Sequence, residues 1–194
     1  MQQNNPIMSY HTSKKLPYGV SNFITIVEQN NYYVDKTMYI PMLEDEASNL
    51  FFIRPRRFGK SLFLGMLHAY YDCRTKDKFE QWFGKLWIGQ HPTPNQGRYQ
   101  VLHLDFSQVG GKIENLEENF NFYLGINLDG FVRDYAEYYS EETRKKVYET
   151  TYAGGKLAII QNEARTKNYP LYLIIDEYDN FTNTVLNEQG EDVY

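Results

Sequence analysis

Residues 51–64, FFIRPRRFGKSLFL, decide how the rest of the chain is read. The apolar run at residues 50–53 suits a buried strand. Pro55 biases Arg54 away from helical dihedrals, so the strand is expected to end at about Arg54. From Ser61 onward, Leu62, Met66 and Ala69 fall on one stripe with Phe63, Leu67 and Tyr70 beside them, the pattern of a helix with a broad buried face. Strand, short loop, Gly59-Lys60-Ser61 and helix is the order of a phosphate-binding loop, usually spelled G-x-x-x-x-G-K-[ST]. Here Arg54 stands in place of the first glycine, and Pro55, Arg56, Arg57 and Phe58 fill the loop.

Such a loop works by aiming backbone N–H groups and a helix N-terminus at an anion. Gly59 would allow close backbone approach to phosphate, Lys60 would clamp its charge, and the Ser61 hydroxyl would bind Mg²⁺. On the tripeptide alone, a basic turn capping a core helix is the stronger reading. A second motif changes the balance. Residues 171–179, LYLIIDEYD, read as a buried strand that delivers two acids at its C-terminal end. In a phosphoryl-transfer site Asp176 would hold Mg²⁺ through water and Glu177 would polarise the attacking water. Open parallel sheets bind ligands outside the carboxyl ends of their strands, where Ser61 and Asp176 would both lie. The plain alternative for the two acids is a solvated strand end that begins a helix.

Between these motifs, residues 101–106 read as a strand ending near Asp105. Residues 114–139 carry apolar side chains at three- and four-residue spacing, a long amphipathic helix. Gly154 and Gly155 break that pattern, a second helix resumes at about Lys156, and it stops before Pro170. Residues 38–43 read as a short helix near Pro41, and residues 32–34 as extended. Buried strands joined by long helical crossovers imply parallel pairing and a layered α/β fold.

The chain has 194 residues, enough to bury a real core as one domain. Its 18 Tyr and 12 Phe require many rings at the core boundary with hydroxyls reaching water or a partner. A net charge of −5 argues against a broad nucleic-acid surface. The single Cys73 can form no intramolecular disulfide, and no Cys/His group has metal-ligand spacing. No apolar run approaches transmembrane length and the polar start has no signal-peptide core, so a soluble cytoplasmic protein without membrane contact is expected. Residues 1–15 are expected to be a flexible lead-in. Arg56 and Arg57 could reach phosphate or a neighbouring subunit's nucleotide, but structural ion pairs are the plainer reading. Asp35 and Lys36 read as a surface ion pair or a helix start, Asp105 as a cap or an outer-shell group, and His68 and His103 as isolated histidines at the core edge.

Taken together, the segments LPYGVSNF, YYVDKT, FFIRPRRFGKSLFL, VLHLDFS and LIIDEYD, in this order and spacing, resemble the bacterial AAA-ATPase-like family over roughly residues 16–186. The RPRRFGKS spelling is that family's version of the loop. The resemblance implies a P-loop NTPase fold, a three-layer α/β/α arrangement around a parallel sheet, filling residues 16–194. It implies ATP and Mg²⁺ as cofactors. Residues 56–61 would lie against the nucleotide, Ser61 and Asp176 would hold the metal, and Lys60 and Glu177 would serve catalysis. Many members also carry a C-terminal nuclease-like domain, and members are similar in having five parallel strands with one inserted between the loop strand and the acidic-motif strand. Little more than one helix follows Glu177 here, so the fold is expected to be incomplete at its C-terminal end and turnover weak. The competing expectations are a non-hydrolysing nucleotide switch or protein-interaction module, and part of a nuclease-associated ATPase. A homo-oligomer or another protein would then be the partner.

Overall fold

The computed structural model describes residues 14–46, 49–53, 55, 58–109 and 113–179. In chain order these form helices α1 (Phe23–Glu28), α2 (Ile40–Asp45), α3 (Lys60–Tyr71), α4 (Phe79–Phe83) and α5 (Trp87–Gln90), followed by strand β1 (Gln100–Asp105). Helices α6 (Leu116–Asp134), α7 (Glu141–Glu149) and α8 (Ala153–Thr166) come next, then strand β2 (Leu171–Asp176). The fold is mixed α/β, and the two strands pair in parallel from Gln100 with Leu171 to Asp105 with Asp176. That register brings the C-terminal carboxylates of both strands to the same edge.

Strand alternation divides the apolar side chains between the two faces of this small sheet. Val101 and Ile174 join Phe63, Met66, Leu67 and Tyr70 of α3 in one core, which also takes Phe23 and Phe83. Leu102 and Leu104 join Leu128, Phe131 and Val132 of α6 and Ile160 of α8 in the other. The outer edge of β1 is covered by two tyrosines. The Val101 N–H donates to the Tyr135 hydroxyl at 2.8 Å and the Asp105 N–H to the Tyr123 hydroxyl at 2.9 Å. The heavy tyrosine content is thus partly spent on strand donors that an unpaired edge would leave exposed.

Three expectations need correction. Residues 50–53 do not form a strand, and Phe51 and Ile53 are 82% and 81% exposed. A strand exists only through a neighbour's backbone. What fixes this segment is side-chain packing, with Phe52 stacked on Phe63 at 4.9 Å and Phe51 edge-on to Tyr178 at 6.3 Å. Second, Gly154 and Gly155 do not interrupt a helix but sit in the first turn of α8. The Tyr152 ring folds back so closely that a Cβ on Gly154 would lie 2.6 Å from it. Third, α7 was not anticipated, although Ser140 caps it by accepting the Thr143 N–H at 3.2 Å. None of the helices among the described residues is long and apolar enough to cross a membrane.

Candidate functional site

The two motifs meet at the N-terminus of α3. Gly59 caps that helix with φ 77° and ψ 28°, a left-handed conformation that glycine adopts without steric cost. The first-turn N–H groups of a helix have no intrahelical acceptors, and they carry the positive end of its dipole. Lys60 and Ser61 are the first two residues of α3. Asp176 is the last residue of β2, and Glu177 follows it.

Lys60 Nζ lies 3.2 Å from Asp176 Oδ1 and 3.4 Å from Glu177 Oε1. The ammonium also sits 5.9 Å from the centre of the Tyr178 ring. Burial works against the Lys60 charge, but hydrogen bonds and attraction to the two acids outweigh it and hold the ammonium above its usual range. Burial likewise works against the Asp176 carboxylate, and here the Ser61 hydroxyl, Lys60 and the Glu177 N–H outweigh it and hold the carboxyl below its usual range. The Glu177 N–H donates to Asp176 Oδ1 at 2.9 Å. Glu177 itself has φ 53°, an uncommon conformation for a side-chain-bearing residue, and it points to a constraint at this position.

Lys60, Ser61, Asp176 and Glu177 therefore lie together. Gly59 adjoins them, and Phe58 is 65% exposed at the start of the turn, where its N–H donates to the Pro55 carbonyl at 3.3 Å. Arg54, Arg56 and Arg57 fall outside the described residues. The donor set suits a hard divalent cation with phosphate oxygens. A hydroxyl beside an ionised carboxylate supplies oxygen ligands, and Mg²⁺ takes only one or two carboxylates from protein and fills its octahedron with water and phosphate. Among the described residues no cluster of three or more His, Cys, Asp or Glu side chains forms a self-sufficient metal cage, and Mg²⁺ with a nucleotide needs none.

Asp105 behaves as a cap, accepting the Ser107 N–H at 2.9 Å, while in register it stands beside Asp176. Asp35 is also a cap. Its Oδ1 accepts the Thr37 N–H at 2.8 Å and its Oδ2 accepts the Trp87 N–H at 2.7 Å, tying the residue 35–37 turn to the start of α5. His68 and His103 are not isolated: their Nδ1 atoms are 3.5 Å apart. His68 Nε2 is 3.4 Å from Asp72 Oδ2, and Arg74 Nη2 is 2.9 Å from the same oxygen. No spacing in the sequence signals this group, because it joins the last turn of α3 to the middle of β1.

Over 111 residues the chain is 51% identical to an uncharacterized protein from the vnfD 5′ region of Azotobacter chroococcum mcd 1. That match covers 54% of this chain and 19% of the relative, so the chain accounts for only about a fifth of the length of the protein it resembles. No solved structure matches it significantly. The family model described as predicted AAA-ATPase matches residues 17–194. The chain belongs to the AAA-ATPase-like family.

Proposed function

We propose that residues 16–194 are the nucleotide-binding part of an AAA-like ATPase, and that they take ATP with Mg²⁺ between the first turn of α3 and the C-terminal end of β2. The observation that carries this reading is the convergence of Lys60, Asp176 and Glu177, which come from segments more than a hundred residues apart in sequence.

Gly59 leaves the backbone open to a phosphate, and the first-turn N–H groups of α3 donate to its oxygens. Lys60 exchanges its carboxylate partners for the outer phosphates. Ser61 and Asp176 would hold Mg²⁺, whose charge would offset that of the phosphate oxygens. Glu177, anchored by its own N–H to Asp176, orients the attacking water and accepts its proton. Lys60 lies within 3.4 Å of both acids, so its move toward phosphate would also free Glu177 for that work.

The test is turnover by Glu177→Gln, which keeps size and hydrogen bonding but removes the base. Mg-ATP binding should persist while hydrolysis falls by about 100-fold or more. Unchanged turnover would remove Glu177 from the reaction.

A further inference from the structure

The two histidines that join α3 to β1 make a contact that the phosphate site does not use. His68 Nδ1 and His103 Nδ1 are 3.5 Å apart, although the residues are 35 positions apart in sequence. We propose that this pair is a seat for a borderline divalent cation of the Zn²⁺ class, with one ring nitrogen from each histidine and water in the remaining positions. The site is separate from the one that would take nucleotide. His68 lies in the last turn of α3 and Lys60 in its first, roughly 12 Å apart along the helix at about 1.5 Å per residue.

Three observations carry it. The first is the separation. A good N–H hydrogen bond spans about 2.7–3.2 Å, so the two rings stand too far apart to satisfy each other well. Zinc–imidazole bonds of about 2.0–2.1 Å in a tetrahedron put two nitrogens about 3.3–3.4 Å apart, close to the distance found. The ring centres are 5.7 Å apart, so each ring turns its Nδ1 edge toward the other.

The second is the tautomer. His68 Nε2 lies 3.4 Å from Asp72 Oδ2. A carboxylate only accepts, so Nε2 carries the hydrogen and Nδ1 of the neutral ring keeps its lone pair toward His103. Asp72 is itself fixed, with its side chain 2% exposed and Oδ2 2.9 Å from Arg74 Nη2. A carboxylate on the far nitrogen is the usual outer partner of a metal-ligating histidine, because it sets the ring's orientation and raises its basicity.

The third is access and donor class. The His68 side chain is 30% exposed, so an ion and its waters can reach the pair from solvent. Among the described residues no third His, Cys, Asp or Glu side chain completes a set of three ligands, so the ion would exchange readily. Imidazole suits Zn²⁺, Cu²⁺ and Ni²⁺, whereas the oxygen donors of Ser61 and Asp176 suit Mg²⁺. A cation seated here would tie the last turn of α3 to the middle of β1.

The test is calorimetric titration of Zn²⁺, without nucleotide, into the full chain and into His68→Gln, His103→Gln, His91→Gln and Asp176→Asn. The wild type should take one Zn²⁺ at the pair, and His68→Gln and His103→Gln should each weaken it about tenfold or more. His91→Gln, at an exposed histidine outside the pair, and Asp176→Asn should leave the affinity unchanged. Zn²⁺ should also raise the thermal midpoint of the wild type but not of the two pair variants, since an ion that binds only the folded chain stabilises it. Should His103→Gln fail to fold, the partly exposed His68 still decides the matter. No Zn²⁺ binding by the wild type, or an affinity untouched by the pair variants, would overturn the site. So would a loss confined to Asp176→Asn, which would place the ion at the end of β2 instead.

Discussion

Lys60 Nζ and Asp176 Oδ1 stand 3.2 Å apart, closing the first turn of α3 onto the end of β2. The Asp176 side chain is only 8% exposed, so its negative charge depends on this cation and on the Ser61 hydroxyl. Lys60→Ala should therefore destabilise the nucleotide-free chain by about 1 kcal/mol, the scale of a partly buried charged hydrogen bond. Urea denaturation measures it, and an unchanged midpoint would mean that the pair contributes nothing to folding.

Two backbone positions at the site predict opposite shifts. An alanine Cβ at Gly59 meets no atom within 4 Å, so Gly59→Ala adds only the left-handed strain, about 1 kcal/mol. Glu177 already carries that strain at φ 53°, and Glu177→Gly should relieve part of it. Thermal denaturation should show Gly59→Ala lower by about 2–4 °C and Glu177→Gly no lower than wild type. A clear fall for Glu177→Gly would show that its ion pair with Lys60 outweighs the strain.

The group of Asp72, His68 and His103 predicts a two-stage acid response. Burial works against the Asp72 carboxylate, but hydrogen bonds from His68 and Arg74 outweigh it and bring the carboxyl down to about 2. A carboxylate depressed from 3.8 stabilises the fold fully above its unfolded value, and that contribution is lost as pH falls toward about 2. His103 is depressed below 6.5, first by burial and then by His68, against the opposing pull of Asp176 and Asp105. Below pH 6.5 the unfolded chain binds this proton more readily than the folded one, so stability falls with pH there too. Chemical denaturation of His103→Gln should show less loss of stability between about pH 7 and pH 5 than wild type. An identical pH profile would exclude His103 as the source.

The edge of β1 gives a prediction about the fold alone. Tyr135→Phe keeps the ring that lies 4.1 Å from the Arg74 guanidinium and removes only the hydroxyl that accepts the Val101 N–H. A buried donor left without its partner costs about 1–3 kcal/mol. Equilibrium unfolding should show that loss; no loss would mean that another acceptor replaces the hydroxyl.

The local framework of the candidate site was legible because it is set by short segments. Gly59-Lys60-Ser61 begins a helix, and Asp176-Glu177 ends an apolar strand, as periodicity and turn chemistry require. Strand β1 and helices α3 and α6 followed from the same periodicities. Residues 50–53 do not form the expected strand because an apolar run specifies neither burial nor a pairing partner; Phe52 stacks on Phe63 and Phe51 meets Tyr178 instead, while Phe51 and Ile53 stay exposed. The His68–His103 contact arises only when distant segments pack, so no window of sequence contains it. Gly154 misled for a related reason: its missing Cβ accommodates the Tyr152 ring rather than a break in the helix.

The central claim is that Lys60 clamps a nucleotide phosphate. Calorimetry of Mg-ATP binding to the wild-type chain and to Lys60→Ala tests it most directly. The account predicts measurable binding by the wild type and a loss of about 100-fold or more in the variant. Equal affinity in the two proteins would contradict it.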